Sequence, residues 1–340
     1  MMKIDTYNNS LLASLAYVII IIAGLKAGSS IIVPLLMAFF WFLLFLPLVN
    51  KLRSLGMPDL ITTVVVFGIT LFIVVIVGTF LVSSGQELVA KLPVYQEKYH
   101  ELIPKITVFL EKFGLSPEKN HIIDFFDPMK IIDYTARFLK NMGNIMTNGF
   151  MTLIIVMFLF LESSMLTKKI FLLLKTEESK ENLLSFIKNI NTYFSIKTLT
   201  SALTGIIIYG ILAFFDLEYA SLFGFIAFLL NYIPSIGSIL AAIPAILISL
   251  LQLTFMDTIF IAIGYLVVNN LIGNLLEPRL LSNGVGISAL FIFLSMVFWG
   301  WVLGPVGMFL SVPLTIILKM ACMYSQKWKW VSVILDDRIK

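Results

Sequence analysis

Residues 61–82 read ITTVVVFGITLFIVVIVGTFLV, with no charge and no proline. An α-helix rises about 1.5 Å per residue, so some 20 apolar residues cover the roughly 30 Å hydrocarbon core of a bilayer. Other apolar segments fall at about 11–27, 31–49, 144–161, 199–215, 220–233, 237–252, 257–276, 286–302 and 305–322. Soluble domains carry about 25% charged residues, whereas this chain has 13% charged against 59% hydrophobic, and its mean hydropathy is +0.98. The chain therefore reads as an all-α polytopic membrane protein. Segments 11–27, 31–49, 61–82, 144–161 and 199–215 are full spans. The later segments are shorter or interrupted. Segments 220–252 and 286–322 either cross fully or fold back as re-entrant hairpins.

The first run is not expected to be a cleaved signal peptide. Lys26 would fall in the cleavage region, no small-x-small site follows, and a second span begins at once. A single cysteine, Cys322, excludes an intramolecular disulfide and a cysteine metal cluster. The two histidines, His100 and His121, both lie in a polar insert, so no metal site and no cofactor are expected. A net charge of +4 is ordinary for an inner-membrane protein and carries no argument for nucleic acid.

Lys/Arg bias in short loops sets orientation. The 50–60 loop carries Lys51 and Arg53, and the 162–198 segment has six lysines against four glutamates. The tail holds Lys319, Lys327, Lys329, Arg338 and Lys340. All three belong in the cytoplasm, and both termini with them. The 215–219 loop has Asp216 and Glu218 and no basic residue, which suits the outside.

The predicted organisation is thus N-terminal membrane helices over 1–82, an external helical insert over 83–143, a membrane helix over 144–161, and a cytoplasmic amphipathic helix over 162–198. A transport region with broken helices follows over 199–323, then a cytoplasmic tail over 324–340. In the insert, Leu88, Leu92, Tyr95, Tyr99, Leu102 and Ile106 recur at helical spacing. Gly114–Pro117 and Asp127–Pro128 divide it into two or three helices. In the cytoplasmic segment Thr176 is a candidate cap, with Glu177 and Glu178 at the positive end of the helix. Leu183, Phe186, Ile187, Ile190, Tyr193 and Phe194 make one apolar stripe.

Two late regions share a Gly/Pro interruption. In NYIPSIGSILAAIPA (231–245), Pro234 and Gly237 precede an apolar arm containing Pro244. In GPVGMFLSVP, Gly304, Pro305 and Gly307 precede an arm containing Pro313. Proline removes a backbone donor and crowds the preceding turn. Freed backbone groups must face protein or a watery cavity, never lipid. Paired interrupted segments point to a transporter site. Between them lies VVNNLIGNLLEPRLLSNG, where Asn270, Asn274 and Glu277 share one helix face. Pro278 is expected to end that helix, and Arg279 follows it. A carboxylate near the membrane is a functional candidate, free to carry a proton or to hold Arg279. The candidate solute or ion pathway comprises Asn231, Pro234, Ser235, Gly237, Asn270, Asn274, Glu277 and Arg279. The candidate breaks are Pro244, Pro278, Gly304, Pro305, Gly307 and Pro313.

No phosphate-binding GxxxxGK[ST] loop, HExxH zinc motif or Ser/His/Asp set is present, so an enzyme and a self-contained ATP-driven pump are not expected. No TVGYG filter run occurs.

The runs FLLNYIPSIGSILAAIPA (228–245), NNLIGNLLEPRLLSNGVGISAL (269–290) and WGWVLGPVGMFLSVPLT (299–315) resemble the autoinducer-2 exporter family of bacterial permeases. The order of spans, insert and motif-rich half matches as well, over nearly the whole chain. The resemblance implies about eight membrane helices with re-entrant elements, a pentameric homo-oligomer in lipid, and elevator-type movement of one domain against another. It implies export of a small polar solute such as autoinducer-2, or Na⁺(Li⁺)/H⁺ antiport. The motif positions are Pro234, Gly237, Pro244, Asn274, Glu277, Pro278, Gly304, Pro305, Gly307 and Pro313. One departure stands out. Where the family often shows an Arg-Gly-Gln-like run before the fifth span, this chain has Ser195-Ile196-Lys197-Thr198, and Lys197 is the only basic group nearby.

The leading expectation is a secondary transporter of the inner membrane exporting a small polar solute. Cation/proton antiport, with Glu277 titrating, is the second. A non-transporting scaffold oligomer built on the insert is the third.

Overall fold

The structure is a computed structural model, and it describes residues 16–91, 93–99, 101, 104, 149–174, 176–234, 236–281, 287–323 and 328–335. Every regular element among these residues is helical. In chain order they are α1 (Ala16–Ala27), α2 (Ser29–Ser54), α3 (Asp59–Ala90), α4 (93–99), α5 (Gly149–Leu173), α6 (Glu177–Phe214), α7 (Ala220–Leu230) and α8 (Gly237–Gln252). There follow α9 (Phe255–Asn269), a π-helical segment Asn270–Leu276, α10 (Glu277–Leu281), α11 (Ala289–Leu303), α12 (Pro305–Phe309), α13 (Ser311–Met323) and α14 (Lys329–Leu335).

Among the described residues, four helical stretches are long and apolar enough to cross a membrane: Ser29–Ser54, Asp59–Ala90, Glu177–Phe214 and Phe255–Leu280. The protein is an all-α polytopic membrane protein. Its long helices keep large apolar side chains on the outside. Phe72, Ile206 and Leu266 are 66%, 65% and 62% exposed, which suits lipid and not water.

The described residues divide between two compact units. One takes its residues from 1–63, 151–192 and 283–340, the other from 64–150 and 193–282. Helices α3 and α6 each carry the chain from one unit into the other.

The first unit holds α1, α2, most of α5, and α11 to α14. Phe40 of α2 meets Phe309 edge-on at 5.0 Å between ring centroids, and Phe42 meets Phe160 of α5 at 5.6 Å. In the 55–58 loop Gly56 takes the left-handed conformation (φ +86°) that a side chain would resist. Arg53 on the end of α2 pairs with Asp59 at 2.9 Å and donates to Ser163 Oγ at 3.0 Å.

The second unit is built on α6. The sequence reading separates a cytoplasmic helix from a following span, but the structure joins them into one 38-residue helix, Glu177–Phe214. No glycine or proline falls between residues 177 and 204 to interrupt the hydrogen-bond ladder. Thr176 lies at its start, accepting from Ser179 N at 3.3 Å. Of its apolar stripe, Ile190, Tyr193 and Phe194 are buried. Leu88, Tyr95 and Tyr99 of the insert stripe are also buried, whereas Leu92, Leu102, Ile106 and the breaks at 114–117 and 127–128 lie outside the described residues.

The loop 215–219 sits against the end of α3. Lys91 pairs with Glu218 at 3.0 Å, and Tyr95 donates to the other carboxylate oxygen at 2.8 Å. Gln252 closes the loop from α8, accepting from Glu218 N and donating to Asp216 O.

Candidate functional site

Each Gly/Pro break is a tight reversal between two helical arms. In the second unit α7 and α8 form a hairpin. Eleven residues of α7 rise only about 16 Å, and sixteen of α8 about 24 Å, so neither arm crosses a 30 Å core alone. The turn between them satisfies much of its own backbone. Tyr232 N donates to Leu229 O, Ile233 N to Leu230 O and Gly237 N to Ile233 O. Pro234 is half-buried within this turn, and Ser235 lies outside the described residues. Gly237 is required by close approach, since a Cβ there would run into the Leu230 carbonyl.

The hairpin in the first unit reaches the same result by related means. Gly304 has φ +70° and ψ −154°, a conformation open to glycine, and Pro305 follows as the first residue of α12. A Cβ on Gly307 would collide with the Trp299 carbonyl. In both hairpins a glycine lets the returning arm lie on a carbonyl of the outgoing one.

Three predicted breaks take other roles. Pro244 is inside α8 and does not interrupt it. Pro313 is the third residue of α13, in the first turn, where its missing N–H has no helical partner to lose. Pro278 does not end its helix: α9, the π segment and α10 form one continuous helical run. Proline at 278 cannot donate to the carbonyl of residue 274 and its ring crowds that carbonyl. The widened π turn ahead of it gives that ring room. Single-turn π segments of this kind recur at functional sites.

The polar residues of the second unit converge on one stretch of α6, Lys197 to Ser201. Asn231, at the end of α7, is buried and donates to Ser201 Oγ at 3.0 Å. Tyr232 shares a 2.7 Å hydrogen bond with Thr198 Oγ1. These two bonds pin the reversal to α6. One step around the same helix, Lys197 Nζ lies 2.6 Å from Glu277 Oε1, and the two side chains are 5% and 15% exposed. Thr200 is fully buried; its hydroxyl donates to Lys197 O at 3.1 Å and lies 3.5 Å from Glu277 Oε2. Glu277 therefore holds Lys197, and the expected Glu277–Arg279 contact is not formed; Arg279 is exposed. The π turn and the i+2 position of Arg279 explain the difference, because residues two apart do not share a helix face.

Asn270 and Asn274 are both exposed, inside a stretch apolar enough to cross a membrane. Asn274 Nδ2 donates to Asn270 Oδ1 at 2.9 Å, and Asn270 Nδ2 to Leu266 O at 2.8 Å. Each amide offers two donors and an acceptor with two lone pairs. The pair thus keeps donors and acceptor lone pairs beyond these two bonds. Polar groups at membrane depth belong against a water-filled path or another protein surface.

The structure thus brings Asn231 and Glu277 onto α6, leaves Asn270 and Asn274 open one to two turns before Glu277, and uses Gly237 for packing. Gly304, Pro305, Gly307 and Pro313 belong to the other unit. Lys197, Thr198, Thr200, Ser201 and Tyr232 are additional. Their signal was available: KTLTS (197–201) is a polar run at the head of an apolar segment.

The site thus combines a broken helical hairpin, a buried ion pair and an amide pair exposed within a membrane span. A family model described as "AI-2E family transporter" matches residues 15–326. The chain belongs to that family and is a multi-pass membrane transporter, which removes the scaffold reading. Among relatives, the AI-2 transport protein TqsA of Escherichia coli (strain K12) is 34% identical over 324 residues, 95% of this chain and 94% of that protein. A Haemophilus influenzae protein is 32% identical over 333 residues, 96% of both chains. YhhT of E. coli K12 is 32% identical over 319 residues, 93% of this chain and 91% of its own. The latter two carry provisional names as transport proteins.

Proposed function

We propose that this protein exports a small, uncharged, oxygen-rich solute of the autoinducer-2 type across the inner membrane. The observation that carries this reading is the Asn270–Asn274 ladder, exposed within a membrane span and able to exchange donors and acceptors with hydroxyl and carbonyl groups. The relation to TqsA supports the choice of solute. The division of the chain into two units joined through α3 and α6 supports an elevator-type cycle, in which the unit bearing the ladder moves the solute. The lysine-rich 162–198 segment and tail support a topology with both termini in the cytoplasm and 83–143 outside. The family resemblance supports a pentamer in the lipid bilayer.

A second reading, Na⁺ or Li⁺ exchange for H⁺, is favoured by one observation: a carboxylate, Glu277, close to the apolar core. The two readings separate in everted vesicles. Solute export predicts accumulation of autoinducer-2 above that of vesicles lacking the protein, with no proton movement on adding Na⁺ or Li⁺. A cation-evoked pH change lost in Glu277→Gln, with no solute accumulation, supports antiport instead.

A further inference from the structure

We infer that Lys197 is a built-in counter-ion for Glu277: a tethered ammonium that fills the carboxylate's cation site and makes the protein independent of Na⁺ and Li⁺. This rests on the transport reading for its purpose, but its test does not.

The argument begins with the geometry. Lys197 Nζ is 2.6 Å from Glu277 Oε1, a short charge-assisted contact, and both side chains are largely withdrawn from solvent. The two residues come from elements eighty positions apart in sequence, α6 and the helical turn just after the π segment. Both ends are held. Lys197 is buried in an unbroken helix, with Phe194 and Ser201, about one turn away on either side, buried as well. Glu277 is presented by the π turn and Pro278.

A free monovalent cation would have to displace this ammonium. Removing one partner of a buried pair leaves an uncompensated charge, which is strongly unfavourable. With the ammonium in place, the neighbouring hydroxyls are already engaged. Thr200 Oγ1, at 3.5 Å from Oε2, already donates to the Lys197 carbonyl. Thr198 Oγ1 is engaged with Tyr232 and the Phe194 carbonyl, and Ser201 Oγ with Asn231. Among the described residues, every polar side chain of this stretch of α6 has a partner. The one cation the site requires is covalently part of the chain, so no ion gradient enters through it. Exchange would require Lys197 to leave.

The measurement is binding of radiolabelled Na⁺ to the purified full-length protein in detergent, which reads the site whether or not autoinducer-2 is the solute. Wild type should show no saturable Na⁺ binding, and neither should Lys197→Arg. Lys197→Met keeps the length of the side chain and removes the charge; it should gain saturable Na⁺ binding, competed by Li⁺ and by protons. Lys197→Met/Glu277→Gln should lose that binding again. Saturable binding by wild type, abolished in Glu277→Gln, overturns the inference without reference to any variant at 197. So does a monodisperse Lys197→Met protein that binds no Na⁺. If vesicles export no autoinducer-2 while the binding pattern is as stated, the solute assignment fails and the tethered counter-ion stands.

Discussion

Gly237 and Gly307 act at the scale of single atoms. At each, an added methyl would meet a main-chain carbonyl and not the movable end of a side chain. Gly68, in the middle of α3, has nothing within 4 Å of the same position. Gly237 and Gly307 stand near prolines in the sequence and Gly68 does not; the structure adds what a methyl at each would meet. Gly237→Ala and Gly307→Ala should each destabilise the protein by about 2 kcal/mol or more, as overpacking against a fixed neighbour does. Gly68→Ala should be neutral or stabilising by up to about 1 kcal/mol, since alanine loses less chain entropy in a helix. Thermal unfolding in detergent, followed with the monodisperse fraction, distinguishes them; equal effects at all three positions would contradict the packing argument. The Gly/Pro interruptions themselves were readable from the chain because their chemistry is local. The partner of Glu277 was not. Arg279 is near in sequence, but Lys197 is near in space, and no local rule joins positions 197 and 277.

Elements show the same division. Helix α6 was read as two pieces because its polar first half and apolar second half differ in composition, whereas helix continuity depends on backbone hydrogen bonds that composition does not interrupt. The predicted stop at Pro278 failed for a related reason: a π turn ahead of the proline relieves its clash and lets the run continue. The loop at 215–219 was expected on the outer face with the insert. Glu218 of this loop meets Lys91 and Tyr95, within segment 83–143. Lys91, hydrogen-bonded to Glu218, holds the carboxyl below its ordinary range, and Glu218 in turn raises Lys91. Tyr95 is pushed up, first by burial and then by the same carboxylate. Because the folded-state value of Glu218 is depressed, its contribution to stability is present above the ordinary carboxyl range and is lost as pH falls through the depressed value. The raised Lys91 loses its share only as pH climbs past its own value, well into the alkaline range. Thermal stability should therefore fall on acidification from neutral pH, and Glu218→Gln should flatten that acid limb. High salt should weaken the wild-type effect, because the pair is near half-exposed. An acid limb of unchanged slope in Glu218→Gln would show that the latch contributes nothing.

For the whole molecule, the long apolar runs establish a polytopic membrane protein, because few other structures bury so much apolar chain. Interleaving was not readable. Each unit gathers segments from distant parts of the chain, and α3 and α6 thread from one to the other. The two Gly/Pro hairpins, which look like a matched pair in sequence, belong to different units, and the polar ladder accompanies only one of them. The central claim is that solute passes along the Asn270–Asn274 face beside the Lys197–Glu277 pair. Efflux of autoinducer-2 from proteoliposomes, compared between wild type and Asn274→Ala, tests it most directly. Asn274 is exposed and, among the described residues, bonded within its own helix, so its removal should cost little stability. The account predicts efflux reduced roughly tenfold, the loss of one to two good hydrogen bonds, with unfolding temperature and reconstitution yield unchanged. Efflux equal to wild type from an equally well-inserted Asn274→Ala protein would contradict it.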